Sequence, residues 1–415
     1  MIAGLDLDDF IARRVTGRER SLFADDLLAN EDGLRAAIEG RSLLVIGGAG
    51  TIGGAFIREA LRYRPGRLVV VDTSENGLTE LTRDLRSTAD QYVPADFTTY
   101  PIDFGSPTFA RLFRGEGPFD VVAHFAAHKH VRSEKDRFSI EAMVRNNVLS
   151  SVALLDLLAA APPSRFFCVS TDKAANPANV MGASKKLMED AVLAYAAEGL
   201  VPATTARFAN VAFSNGSLPA GFLERIAKSQ PLSAPADVRR FFVSPQESGQ
   251  LCLAAAMLAR PGDIAFPRLG ESTMLTFDRI ADALLEELGY VPEPHATEDE
   301  ARHAALRLRS GTDGLHSGTE RTWPVHYFAS DTSGEKPAEE FHTDDEAVDL
   351  ERFAAIGIIS PAASNGVAEI RGVAEELGRL FEREDLEKAE IVELLERLVP
   401  TFRHVETGRR LDSRM

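Results

Sequence analysis

The run Leu43-Leu44-Val45-Ile46-Gly47-Gly48-Ala49-Gly50-Thr51-Ile52-Gly53 constrains this chain more than any other stretch. Four consecutive apolar residues read as a strand buried on both faces, as parallel strands are. A glycine-rich turn follows at once, and Phe56, Ile57, Ala60 and Leu61 then recur at helical spacing. Gly47 permits the tight turn, Gly50 lets backbone approach a pyrophosphate, and Gly53 lets helix pack on strand. Thr51 and Ile52 open the helix, whose unpaired N–H groups and dipole favour negative charge. A second apolar strand, Leu68-Val69-Val70-Val71, ends at Asp72, 19 residues beyond Gly53, where the ribose of a dinucleotide needs an acceptor. A carboxylate there accepts a 2′-hydroxyl and repels a 2′-phosphate, which favours NAD; Thr73 and Ser74 leave NADP open.

The same rhythm continues along the chain. Strand 43–46, helix 51–63, strand 68–71 and a helix over 75–87 are followed by a short strand near 99–102, ending at Asp103. Strand 121–125, a helix over about 138–160, strand 166–169, a long helix from about 182 and a strand over 203–208 complete the alternation. Short connections between alternating elements predict an α/β fold with a parallel sheet covered on both faces. Strand 121–125 runs into Ala126-Ala127, small residues across which a cofactor can lie, so Ala126 and Asp103 join the candidate cofactor contacts. Asn147 falls between apolar neighbours within its helix and is expected to brace the site through backbone hydrogen bonds. The division expected is a helical extension over 1–40, a dinucleotide-binding domain over 41–262, and a smaller substrate-binding region with a helical tail over 263–415. Residues 1–40 are expected to be an arm packed on the core or a second subunit, 293–322 a polar loop or lid, and 367–399 two amphipathic helices.

Composition narrows the partners. The net charge is −17 with no basic cluster, which argues against nucleic acid or an anionic membrane surface. Cys168 and Cys252 both sit inside apolar patterns and read as buried hydrophobes, consistent with a reducing cytoplasm. No run approaches the roughly 20 apolar residues of a membrane span, and no signal-peptide pattern opens the chain. A cytoplasmic protein acting on soluble substrate is the expectation, with no metal site.

The chemistry is expected where strand 166–169 ends, at Ser170-Thr171-Asp172-Lys173. In nicotinamide enzymes of the short-chain dehydrogenase type, a Tyr and a Lys four apart share one helix face; the phenol moves a proton and the lysine holds the ribose. Lys185 is present here, but position 181 is Met, which has no proton to exchange. Either the site is inert or other groups do the proton work, and Asp172 with Lys173 supplies an acid–base couple.

The run TDKAANPANVMGASK (171–185) resembles the signature of the UDP-N-acetylglucosamine 4,6-dehydratases of polysaccharide biosynthesis, which are extended short-chain dehydrogenases/reductases. The resemblance continues in AAHKHV (126–131), RFANV (207–211), SNGSL (214–218), VRRFFVS (238–244) and SGEK (333–336). It implies a Rossmann-type doubly wound parallel sheet, a resident NAD and a UDP-sugar substrate in a homo-oligomer. It also implies a reaction: hydride leaves carbon 4 for the bound nicotinamide, water is eliminated across carbons 5 and 6, and hydride returns to carbon 6. By resemblance, Lys173 is the base at carbon 5, Asp172 the acid for the departing water, and Thr171 assists the first oxidation. Lys173 then needs a pKa well below its free value of about 10.4, which Lys129 and Lys185 are expected to impose by repulsion. Lys129, His130, Asn210, Ser217, Arg239, Arg240 and, less strongly, Glu335 with Lys336 are the candidate substrate contacts, the paired arginines suiting a diphosphate. Members of the family carry either Tyr or Met at position 181, so the configuration at carbon 5 stays open. Two alternatives remain: a nucleotide-sugar 4-epimerase on the same fold, and a non-catalytic dinucleotide-binding regulator.

Overall fold

The computed structural model describes residues 4–129, 134–310, 321–330, 336, 338–361 and 365–404. The N-terminal arm carries α1 (Leu7–Phe10), which continues helically to Thr16, α2 (Ala24–Ala29) and α3 (Glu31–Ile38). It packs on the chain's own core, with Phe10, Ile11 and Val15 in one apolar cluster and Leu27, Leu34 and Ile38 in another. Arg18 pins the arm through a paired contact with the buried Glu247 carboxylate, both oxygens at 2.7 Å.

The alternation read from the sequence is present. Along the chain come β1 (Ser42–Ile46), α4 (Thr51–Leu61), β2 (Arg67–Asp72), α5 (Glu75–Ser87), β3 (Asp96–Pro101), α6 (Pro107–Glu116) and β4 (Val121–His124). Then follow α7 (Arg137–Val144), α8 (Ser150–Ala160), β5 (Arg165–Val169), α9 (Val180–Ala197) and β6 (Ala203–Ala206). The six strands are parallel in the order β3-β2-β1-β4-β5-β6, so the order in which strands are added reverses between β1 and β4. In open sheets of this kind the ligand crevice lies at the carboxyl ends of the strands flanking that reversal.

Beyond β6 the chain leaves the sheet through β7 (Asn210–Val211), α10 (Leu218–Ala227), β8 (Leu232–Pro235), β9 (Arg239–Arg240) and β10 (Phe242–Val243). It returns through α11 (Pro245–Leu258) and β11 (Ile264–Pro267), which pairs parallel to β6. A smaller layer follows: β12 (Leu275–Thr276), α12 (Phe277–Glu287), β13 (Tyr290–Pro294), α13 (Glu298–Ser310) and β14 (Arg321–Phe328). Here β13, β14 and β8 form a three-stranded sheet. Last come β15 (Val348–Asp349), β16 (Ile356–Ile359), α14 (Val367–Leu380) and α15 (Lys388–Leu398). β16 pairs antiparallel to β11 and β15 antiparallel to β16, closing that edge of the main sheet.

Three expectations need correction. The main sheet does not stop at residue 262, because β11, β16 and β15 extend it, while segments on the N-terminal side of 262 (α10 and β8) belong to the smaller layer. The stretch 293–310 is not a loop: α13 occupies 298–310, burying Ala301, Ala304 and Ala305. Three alanines at helical spacing make a stripe too narrow to stand out in a polar run. Residues 311–320 of that expected loop lie outside the described residues.

Arg137–Ala160, finally, is the one helix among the described residues long and apolar enough to cross a membrane by length and composition; half of its most apolar window is buried. Counting uninterrupted apolar residues misses it, because Arg145, Asn146 and Asn147 break the run. Its inner face is covered by α9, α14 and α15, which share a core with Ile140, Met143 and Val148.

Candidate active site

The glycine turn between β1 and α4 has the shape a dinucleotide needs. Gly47 lies at φ +80°, and a Cβ there would stand 2.4 Å from the Ala126 nitrogen, so β1 and β4 come together with only hydrogen atoms between. Gly53 is equally constrained: its Cβ would meet the Gly47 oxygen at 2.4 Å. Gly50 differs. A Cβ there would meet nothing nearer than the Gly47 oxygen at 3.5 Å, so the space above it is open. It is also the N-cap of α4 and offers no side chain to the first-turn N–H groups of Thr51, Ile52 and Gly53. Open space over unpaired donors at a helix N-terminus is an anion cradle. Asp72 stands at its rim, accepting from the Ala49 nitrogen at 3.0 Å and the Ser74 nitrogen at 2.9 Å, with lone pairs left over for a ribose. Asp103 is exposed beyond β3 and accepts from the Gly105 nitrogen at 2.9 Å. These residues fit a bound dinucleotide.

The loop after β4 is held from below. The helix between α7 and α8 widens into a π-turn over Arg145–Leu149, which turns Asn147 inward. Buried Asn147 accepts from the His128 nitrogen at 2.9 Å and donates to the His128 oxygen at 2.9 Å and to Ser184 Oγ at 3.0 Å. Such single-turn bulges recur at functional sites. The bracing expected from the sequence is thus present, with the bulge as its cause. Asn147→Ala is expected to lose about 2 kcal/mol of stability in urea unfolding, because buried partners lose their bonds. It also frees the 126–129 loop, which amide exchange of His128 reads directly.

At the carboxyl end of β5, Thr171 caps the short turn Asp172–Ala174 and donates to Asp172 Oδ1 at 2.9 Å. Lys173 Nζ lies 3.1 Å from the same oxygen and 3.3 Å from Glu339 Oε1. All three side chains are buried or nearly so, and Arg240 approaches Glu339 to 3.8 Å. Burial alone would lower the Lys173 pKa; the carboxylates of Asp172 and Glu339 outweigh it, with Arg240 opposing, and the ammonium is held above its ordinary value. This corrects the expectation of an amine depressed by Lys129 and Lys185: the nearest charges are carboxylates, and the opposing cation is Arg240. Burial raises the Glu339 carboxyl above its ordinary value, against the pull of Lys173 and with Asp172 adding to it.

Lys185 is buried on α9, donating to the Val169 oxygen at 2.7 Å, which places its head at the end of β5; burial lowers its pKa. Met181, one turn earlier, is core: it packs with Ile140 and Val144, and its nitrogen donates to Glu134 Oε1 at 3.1 Å.

The candidate substrate contacts do not all converge. Arg239 and Arg240 are successive residues of β9 and so point to opposite faces. Exposed Arg239 donates to the Glu271 oxygen at 3.0 Å, whereas buried Arg240 donates to the Lys336 oxygen at 2.9 Å. A side-by-side pair on one diphosphate is therefore not what the strand presents. Ser217 caps α10, accepting from the Ala220 nitrogen at 3.3 Å, and Asn210 lies on β7 beside Phe242. The Asn215 nitrogen donates to Thr51 Oγ1 at 2.9 Å, which brings the 214–217 loop onto the glycine turn. Lys129 is exposed at the rim, and His130 and Glu335 lie outside the described residues.

Glu339 escaped the sequence reading. It lies three residues past Lys336 in an acidic pair with no periodicity, and only folding brings it to Lys173. The segment carrying it is clamped by fully buried Arg207, which donates to the Phe341 oxygen at 2.9 Å, to both Glu346 oxygens at 2.7 Å and to Glu189. Phe341 stacks between Phe241 and Phe266, with ring centres at 5.3 and 5.9 Å.

Residues 43–313 match the family model described as polysaccharide biosynthesis protein. A Methanocaldococcus jannaschii protein described as an uncharacterized membrane protein is 32% identical over 262 residues, 61% of this chain and 74% of that protein. The inverting UDP-N-acetylglucosamine 4,6-dehydratase of Campylobacter jejuni is 24% identical over 257 residues, 60% of this chain and 73% of that one. UDP-glucose 4-epimerases are also among the relatives. The chain spans less than half the length of two longer relatives named for polysaccharide biosynthesis, 48% and 38%. Among solved structures, Pen from Bacillus thuringiensis aligns over 82% of this chain and 98% of its own with a TM-score of 0.61 at 20% identity, which shows the shared fold. The chain belongs to the family described as polysaccharide biosynthesis protein, and its relatives include proteins named as nucleotide-sugar dehydratases and epimerases.

Proposed function

We propose that the chain is a 4,6-dehydratase acting on a UDP-N-acetylhexosamine, with UDP-N-acetylglucosamine the first sugar to test and NAD the resident cofactor. One observation carries this reading: an aspartate and a lysine in contact, Asp172 and Lys173, sit at the carboxyl end of β5, two strands from the glycine turn. A 4-epimerase moves a hydride and the carbon 4 hydroxyl proton away and back and has no water to expel, so it needs one proton-moving group and not a separate acid and base. Bound NAD supplies reversible hydride acceptance, and α4, Asp72 and the close approach of Gly47 to Ala126 would hold it.

The chain's own groups then divide the work. Thr171 orients Asp172 through its hydroxyl bond, and Asp172 protonates the hydroxyl departing from carbon 6. Lys173 receives the carbon 5 proton, made acidic by the adjacent ketone. Lys185 holds the nicotinamide ribose, and Met181, a core residue without an exchangeable proton, leaves the proton traffic to the Asp172 couple.

The test is proton NMR of purified protein with UDP-N-acetylglucosamine in deuterated water. A 4-keto-6-deoxy product, with deuterium at carbon 5 and no net NADH, is the expected result. Asp172→Asn and Lys173→Met are expected to lower turnover by about 10²–10⁴-fold, the range of positioned acid–base groups. Conversion to the 4-epimer with full activity in Asp172→Asn overturns the proposal in favour of an epimerase.

A further inference from the structure

Lys173 has a difficulty as a base: in the fold it is an ammonium clasped by two carboxylates, Asp172 at 3.1 Å and Glu339 at 3.3 Å. An ammonium accepts no proton until it has given one up. Asp172 cannot be the recipient if it is to take the carbon 4 hydroxyl proton during the first oxidation and hand that proton to the departing hydroxyl. We propose that Glu339 is the group that relieves Lys173 of its proton, acting as a positioning residue that turns the clasped ammonium into an amine facing the sugar. This rests on the dehydratase reading of the same site.

Geometry supplies the argument. Glu339 Oε1 is the second oxygen on Lys173, while Oε2 is buried and takes no hydrogen bond among the described residues. A buried carboxylate oxygen without a donor is costly as an anion and far less so once the group is protonated. The residue is also firmly placed, since the Arg207–Glu346 clamp and the Phe341 stack follow within seven positions. The charges facing it are Asp172 and Lys173 from the turn after β5, Arg240 from β9 and Lys336 from its own segment. Its raised pKa, with burial the largest cause, agrees with a carboxyl that takes up a proton readily.

The proton count closes. In the first oxidation the carbon 4 hydroxyl proton passes to the Asp172 carboxylate; Lys173 passes a proton to Glu339, giving an amine and a carboxylic acid. The carbon 5–hydrogen bond breaks, its proton joins the amine, and its electron pair expels the carbon 6 hydroxyl, which leaves as water with the proton of Asp172. With hydride supplied to carbon 6, as a bound nicotinamide would do, a proton is restored to carbon 5 from Lys173. Asp172 is left as the carboxylate it began as, and the proton parked on Glu339 returns to Lys173.

Trace acetylation of the full chain across pH 8–12, read at Lys173 by peptide mass spectrometry against an exposed lysine, gives the titration midpoint of that amine. In Glu339→Gln, which keeps the shape and removes the charge, the midpoint is expected to fall by about one unit or more, and the labelling at pH 9 to rise about tenfold. Glu339→Asp is expected to restore most of it. With UDP-N-acetylglucosamine, Glu339→Gln is expected to lower kcat with little change in KM and to move the acid limb of the pH–rate profile. An unmoved Lys173 midpoint overturns the proposal whatever the sugar does; so does a moved midpoint with an unaltered pH–rate profile. A moved midpoint in a protein that leaves UDP-N-acetylglucosamine unchanged upholds the Glu339–Lys173 exchange and rejects only the choice of substrate.

Discussion

Arg207→Leu is expected to destabilise the protein by about 3–5 kcal/mol, the cost of leaving buried carboxylates without their cation. The side chain is fully buried and serves two glutamates at once, Glu189 on α9 and Glu346 ahead of β15. Burial would raise the Glu189 carboxyl, yet the Arg207 guanidinium and Lys186 outweigh burial and hold it at about 2. Its folded pKa is thus below the unfolded value, so the pair stabilises the fold above the ordinary carboxylate range and that stability fades as pH falls toward 2. The gap between wild type and Arg207→Leu should therefore be widest at neutral pH and narrow on acidification, because a protonated glutamate no longer misses its partner. Urea midpoints at pH 7, 5 and 4 check this. A loss below about 1 kcal/mol at pH 7, or a gap that widens in acid, contradicts it. Turnover should fall along with stability, since the clamp positions Glu339.

Acid should unfold the wild-type protein early, and His124 should be a main cause. This residue lies on β4 between Ile46 and Cys168 in register, with its ring 4.5 Å from that of Phe104. Neither ring nitrogen has a partner among the described residues. Burial, with the Lys185 ammonium adding to it, pushes the imidazole down to about 3. In the unfolded chain it protonates near its ordinary 6.5. Between those values the unfolded state binds a proton that the fold refuses, so stability is intact above pH 6.5 and is lost progressively as pH falls toward 3. At about 1.4 kcal/mol per unit this approaches roughly 5 kcal/mol. His124→Leu should flatten the fall of the urea midpoint between pH 6.5 and 4. An imidazole resonance of His124 titrating near 6.5 in the folded protein would remove the basis for this.

These outcomes bear on what was legible in the chain itself. The main sheet was, because strands covered on both faces are unbroken apolar runs and Gly47, Gly50 and Gly53 mark the turn between two of them. Asn147 was, because a polar residue beside Val148 and one turn from Val144 faces the apolar side of its helix and must point at something. What was not legible depends on distance or direction. Glu339 carries no local pattern, and 166 residues separate it from Lys173. The charge state of Lys173 follows from neighbours the sequence does not place beside it. Arg239 and Arg240 look paired on paper, and the pleat of β9 turns them apart. Helix α13 hides because alanine contributes little to an apolar stripe.

The late position of the Glu339 segment has a consequence for how the protein comes into being. A chain emerging from the ribosome through residue 330 already holds the glycine turn, all six central strands, Asp172, Lys173 and Lys185, among them the residues proposed to hold a dinucleotide. It lacks the segment that completes the charge cluster and the two antiparallel strands that seal the sheet's edge. Under the reading proposed above, cofactor capture can precede the arrival of the Glu339 segment, whereas proton transfer waits for it.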